Sequence, residues 1–169
     1  MKKLQLTCVS LIVLLFVSCE TSKGVSTAED IGTYAFNILK DFDNITKNKY
    51  VNTILTLEEV KDFVKQNAET LDERTIKNIE RQKSIEYKDR MGRDYNRIKE
   101  RAHKADLTFA NIQFTDYSFE EEDEGGIKVC MGKLAFTHND NPYTVRITAV
   151  LLGNRYRLAR MRSLRKVEE

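Results

Sequence analysis

The side chains of this sequence that could do chemistry are few, and four of them crowd its last predicted strand. Arg155, Arg157, Arg160 and Arg162 fall within eight residues of one another, interleaved with Tyr156 and Leu158. Side chains alternate across a strand, so Arg155 and Arg157 should point away from Tyr156 and Leu158, toward solvent or a sheet edge. If the strand runs on without a bulge, Arg160 and Arg162 share the face of Tyr156. The three would then form an anionic-ligand face on the concave side of a curved sheet, because guanidinium groups bind carboxylate and phosphate in a bidentate fork. A bulge would instead turn Ala159 and Met161 inward and leave the arginines as ordinary surface charge. Parity shifts in the other strands favour the bulge.

The remaining reactive side chains form no catalytic constellation. His103 sits near a predicted helix end, where a partial cation suits the helix C-terminus, and His138 sits in a turn and should be solvent-exposed. Two distant histidines without cysteine or carboxylate partners at ligand spacing make no zinc signature. Glu120-Glu121-Glu122-Asp123-Glu124 lacks the alternating ligands of a calcium loop and reads as a solvated turn that discourages edge-to-edge strand pairing. Cys130, between Val129 and Met131, reads as a small buried residue. The sequence has no glycine-rich phosphate loop, no nucleophile elbow and no carboxylate pair that spacing can place. No catalytic residue, metal ligand or cofactor is therefore assigned.

The first nineteen residues carry the clearest signal. Lys2 and Lys3 give a basic start, Leu4 to Val17 is a largely apolar run, and Ser18-Cys19 closes it. That is the layout of a secretory signal, too short to remain as a membrane span. Phe16-Val17-Ser18-Cys19 resembles the lipobox of bacterial lipoproteins, with Phe16 where leucine is usual. The resemblance implies cleavage before Cys19, diacylglycerol on its thiol and attachment to the bacterial cell envelope. Glu20 rather than aspartate after the cysteine is compatible with outer-membrane sorting. At about 0.8 kcal/mol per buried methylene, two or three acyl chains hold a protein to a bilayer durably. Residues 1–18 are thus read as signal peptide, 19–25 as lipidated cysteine and polar tether, and 26–169 as one domain.

Composition limits the alternatives. Loss of Lys2 and Lys3 with the signal takes the formal charge from +2 to neutral, which gives no global electrostatic case for nucleic acid. Of the three cysteines, Cys8 leaves with the signal and Cys19 would carry lipid. Cys130 then has no intrachain disulfide partner, and packing must supply the stability.

Element patterning places helices first. Ser26-Thr27-Ala28-Glu29 reads as a capping box before an apolar stripe of Ile31, Tyr34, Ala35, Ile38, Leu39 and Phe42. A short weakly patterned helix is predicted from about Lys47 to Leu55. Thr56-Leu57-Glu58-Glu59 is a second capping box, followed by Val60, Phe63 and Val64. The charged stretch from Asp72 to Lys104 carries a thin stripe (Ile76, Ile79, Tyr87, Met91, Tyr95, Ile98, Ala102). It reads as one helix or two covering one side of a sheet, with Gly92 the weak point.

Four strands follow. Leu107 to Glu120 has parity shifts after Phe109 and Phe114, and Glu120 to Gly126 is an acidic turn. In Ile127 to Thr137 the apolar set moves from Ile127, Val129 and Met131 to Leu134 and Phe136 across Gly132. A turn at residues 138–142 leads to Tyr143–Leu152, and Gly153-Asn154 makes a two-residue hairpin into the last strand. Helices segregated from strands predict an α+β fold, N-terminal helices packed on a curved four-stranded antiparallel sheet. The layout, and the ending Val150-Leu151-Leu152-Gly153-Asn154-Arg155-Tyr156-Arg157-Leu158, resemble the nuclear transport factor 2-like, or cystatin-like, cone. The tether, the absence of a catalytic constellation and the highly charged helical stretch point to a lipid-anchored, non-enzymatic binding or accessory module of the cell envelope, whose cone would recognise a ligand or a partner. Its partners would be the membrane, through Cys19, and an envelope protein. The alternative is a cone-fold enzyme of isomerase or hydrolase type with a small-molecule pocket.

Overall fold

Apolar stripes on the first helices and on one face of each strand meet in an α+β arrangement, helices before sheet. The computed structural model describes residues 23–167, so the signal segment and Cys19 lie outside the described residues. The helices are α1 (Asp30–Lys40), α2 (Lys47–Thr53), α3 (Leu57–Gln66), α4 (Glu73–Glu80) and α5 (Ser84–Lys104). The strands are β1 (Gln113–Asp123), β2 (Lys128–His138), β3 (Asn141–Leu152) and β4 (Arg155–Lys166), joined as an antiparallel meander in the order β1-β2-β3-β4.

Local sequence explains most boundaries. The capping box predicted at Ser26 does not form: Glu29 is the N-cap of α1 and makes no side-chain cap bond, and the Thr27 hydroxyl accepts from the Asp30 amide at 3.3 Å in the turn leading into the helix. Of the predicted stripe, Ile31, Ala35, Ile38, Leu39 and Phe42 are buried. The Thr56 capping box forms in full: its hydroxyl accepts from the Glu59 amide, and its own amide donates to the Glu59 carboxylate at 2.8 Å.

The charged stretch is two helices, and the break falls at Arg81–Lys83 rather than at Gly92. Lys83 is extended and starts α5. Gly92 lies buried inside that helix, where an added Cβ would meet the Lys47 side chain at 3.3 Å. The Lys47 side chain of α2 lies over it, and α5 runs through this position unbroken.

Two strand expectations are corrected. The parity change after Phe109 is a 3-10 turn (Phe109–Asn111), held where the Phe109 amide donates to the Asp43 carboxylate at 2.8 Å. Only the change after Phe114 is a bulge, between Phe114 and Asp116. Most of the acidic run is strand, because β1 continues to Asp123 and the turn is made by Gly125 and Gly126, both at positive φ. Finally, β2 pairs with β3 in unbroken register, so the apolar set moves from one face to the other at Gly132 without a bulge. Cys130, Leu134, Phe136 and His138 face the main core, and Ile127 and Val129 face the other side of the sheet. Both faces read as apolar because both are covered there.

The inner, concave face is filled. Phe42, Tyr50, Phe109, Phe136, Ile147 and Leu158 are each less than 2 % exposed. Phe42 packs 5.4 Å from Tyr50 and 5.3 Å from Phe109, centroid to centroid. On the outer face, Val64 of α3 and Ile76 and Ile79 of α4 pack on Ile127, Val129 and Val150, covering one end of the sheet. Among the described residues no helix is long and apolar enough to cross a membrane.

Candidate binding surface

Two irregularities in β4 decide where its arginines go. Thr148 pairs with Arg160 but Ala149 pairs with Leu158, so Ala159 is an extra residue; a second shift lies between the pairs Arg146–Arg162 and Thr144–Arg165. Ser163 sits there at φ 60°. Each bulge resets the alternation. As a result Tyr156, Leu158, Met161 and Leu164 are all buried in the main core. Arg155, Arg157, Arg160, Arg162 and Arg165 pair with Leu152, Val150, Thr148, Arg146 and Thr144, which alternate with the core residues of β3. Directly paired residues share a sheet face. Five arginines spaced two, three, two and three residues apart thus form one ladder along the outer face.

Three rungs are occupied. Arg155 donates to the Gly24 carbonyl at 3.3 Å. Arg157 is buried under α3, where it pairs with Glu59 at 3.0 Å and donates to the Lys23 carbonyl at 2.9 Å. Lys23 to Val25, read as the end of a flexible tether, are therefore tied to β4, and Val25 also exchanges two backbone hydrogen bonds with Tyr156. Arg160 reaches Asp94 of α5, with Nε on Oδ2 at 2.5 Å and Nη2 on Oδ1 at 3.2 Å. Asp94 is only 3 % exposed. The bulge was correctly expected, but these arginines are not ordinary surface charge. Arg157 and Arg160 each neutralise a helix carboxylate and pin a helix to the last strand.

The other two rungs are not neutralised. Arg162 lies opposite Arg146, which lies opposite Lys133, making a cross-strand row of three cations, and Arg165 follows on β4. Among the described residues none of the four makes an ion pair within 4 Å. The Arg162 Nε is buried and has no hydrogen-bond partner there. A recess of about 210 Å³ beside Arg165 extends the positive tract with Arg101, Lys104 and Lys166. A second, open groove of about 500 Å³ between α2 and α5 carries Lys47, Lys88 and Arg93 together with the carboxylate of Asp89.

The trio predicted as an anionic-ligand face is separated. Tyr156 lies on the inner face and donates to the Glu121 carboxylate. Its hydroxyl is pushed up to about 12, first by burial and then by that bond. Arg160 belongs to the Asp94 pair, and Arg162 alone stands in the open cationic row. His138 is buried, contrary to expectation, and its Nε2 accepts from the Thr108 amide at 3.3 Å. His103 lies in the last turn of α5, as predicted, and is exposed. Cys130 is fully buried with its thiol 3.4 Å from the Tyr117 hydroxyl, and burial pushes its pKa up. Among the described residues no group of three or more His, Cys, Asp or Glu could hold a metal ion.

Sequence reasoning missed Asp94, Arg146 and Lys133. Asp94 had a signal: it stands three residues after Met91 and four before Ile98, a lone acid on an apolar stripe. Arg146 and Lys133 become neighbours of Arg162 only through strand register. No protein-family model matches the chain, and neither does any curated protein or solved structure.

Proposed function

We propose that this protein is a lipid-anchored, non-enzymatic binding or accessory module of the bacterial cell envelope, held at the outer membrane through Cys19. The observation that carries the reading is the distribution of space and charge. The concave face, where a cone-fold enzyme would keep a substrate, is occupied by Phe42, Tyr50, Phe136 and Leu158. The buried carboxylate of Asp94 has both oxygens committed to Arg160, which leaves it poorly placed to shuttle a proton. Exposed, unneutralised cations collect instead on the outside of the sheet, an arrangement suited to recognition. The lipobox resemblance supplies the anchor, and the fixing of Lys23–Val25 to β4 gives the domain a defined attachment point beside it.

The anchor is tested by feeding cells an alkyne-bearing fatty acid and detecting label on the full chain. Label on the native sequence and none on Cys19→Ala is the expected result. Equal labelling of the two would contradict the proposal.

A further inference from the structure

We propose that the tract formed by Lys133, Arg146, Arg162 and Arg165 is the docking surface for an acidic segment of a partner protein. The proposal deepens the binding-module reading and rests on it. Neighbouring strands lie about 4.8 Å apart, so the row Lys133–Arg146–Arg162 sets three cations side by side across about 10 Å. Like charges directly opposite on a sheet repel, and no carboxylate of the described residues relieves them. Lys133, Arg146 and Arg165 are exposed and Arg162 is half-buried, so the row is open to a segment lying across it. Arg165 carries the tract to Lys166 at the sheet edge, beside Arg101, which donates to the Leu164 carbonyl, and Lys104, which pairs with Glu100. A segment with several glutamates or aspartates supplies the missing counter-charges and the acceptors for guanidinium forks.

Chain geometry favours a protein segment over a bilayer. Cys19 lies four residues before Lys23, so the anchor stays within about 14 Å of it. Lys23 is bonded to Arg157, at the opposite end of β4 from Arg165. The α3 and α4 helices stand on the outer face at the Arg157 end. A helix diameter is about 10 Å, so these two would hold a flat membrane off the cationic row.

The test uses the full chain in a neutral detergent with a synthetic peptide of alternating glutamate and serine. Saturable binding is expected, weakening about tenfold as ionic strength rises through the physiological range, and at least about tenfold weaker in R146E/R165E. R146Q/R165Q, which removes the two charges without reversing them, serves if the first variant does not fold. Lys40→Glu, on the exposed side of α1, should bind as the native chain does. Equal binding by native chain and variants, or no binding, would overturn the proposal. So would binding to phosphatidylglycerol vesicles but not to the peptide, or self-association abolished by the same substitutions. Fatty-acid labelling of Cys19 reads the anchor independently, so failure of docking and failure of the anchored-module reading are distinguishable.

Discussion

Arg146 on β3 stands directly opposite Arg162 on β4, two cations on one sheet face with no carboxylate of the described residues within ion-pairing distance. Lys133 completes the row on the other side of Arg146. Folding alone does not favour such a row. Arg146→Glu should therefore stabilise the isolated protein, by about 0.5–1 kcal/mol, because it converts two repulsive cross-strand pairs into attractive ones. Urea unfolding at low salt would show a raised midpoint, with the gain shrinking as salt is added. A lowered midpoint would mean that the row is not under electrostatic strain.

The Asp94–Arg160 pair is a different case, since Asp94 is almost wholly buried. Removing one partner strands the other, so Asp94→Ala should cost about 3–5 kcal/mol. The double change D94A/R160A should cost less than the sum of the two single changes, because it leaves no uncompensated charge. Additive losses in chemical unfolding would show that the two residues are not coupled.

Packing of α1 against the sheet should account for a large share of stability, because Cys130 is a buried free thiol. Ile38 is buried in the main core and Lys40 is exposed. Ile38→Ala should lower stability by about 2–5 kcal/mol, as large-to-small core changes do, and Lys40→Ala by no more than about 0.5 kcal/mol. Matching urea midpoints for the two variants would make α1 peripheral.

Burial raises the tyrosine hydroxyls of Tyr50 and Tyr117, and takes Tyr87 and Tyr156 up to about 12. Each group stays protonated in the fold at a pH where the unfolded chain ionises. Its contribution is complete below about pH 10 and is lost as pH climbs through the raised folded value. Stability should therefore fall steadily above about pH 10. Tyrosinate absorbance of the native protein should lag that of the chain in guanidinium, and coincident titration curves would contradict this.

The elements were largely legible because local patterns fix them. The stripe from Ile31 to Phe42, the Thr56–Glu59 box and the Gly153-Asn154 turn all carry their meaning within a few residues. Even the bulge at Ala159 could be anticipated, since only a parity change keeps both Leu158 and Met161 buried. The cationic tract was not legible. It requires the second bulge at Ser163, which sends Arg165 outward, and a register that sets Arg146 and Lys133 beside Arg162 from 16 and 29 residues away in sequence. His138 was misplaced for a related reason. It shares the parity of Leu134 and Phe136, but β2 had to run one residue further than its turn-like neighbours indicated.

The central proposal is that an acidic partner segment docks on the outer face of the sheet and not on the inner face that carries the main core. Chemical-shift mapping of the isotope-labelled full chain in detergent micelles, titrated with the glutamate–serine peptide, tests it most directly. Amides of residues 131–135, 144–148 and 160–166 should shift together and saturate together. Shifts confined to the inner-face neighbourhood of Phe42, Tyr50 and Phe136, or spread evenly over every cationic surface, would contradict the account.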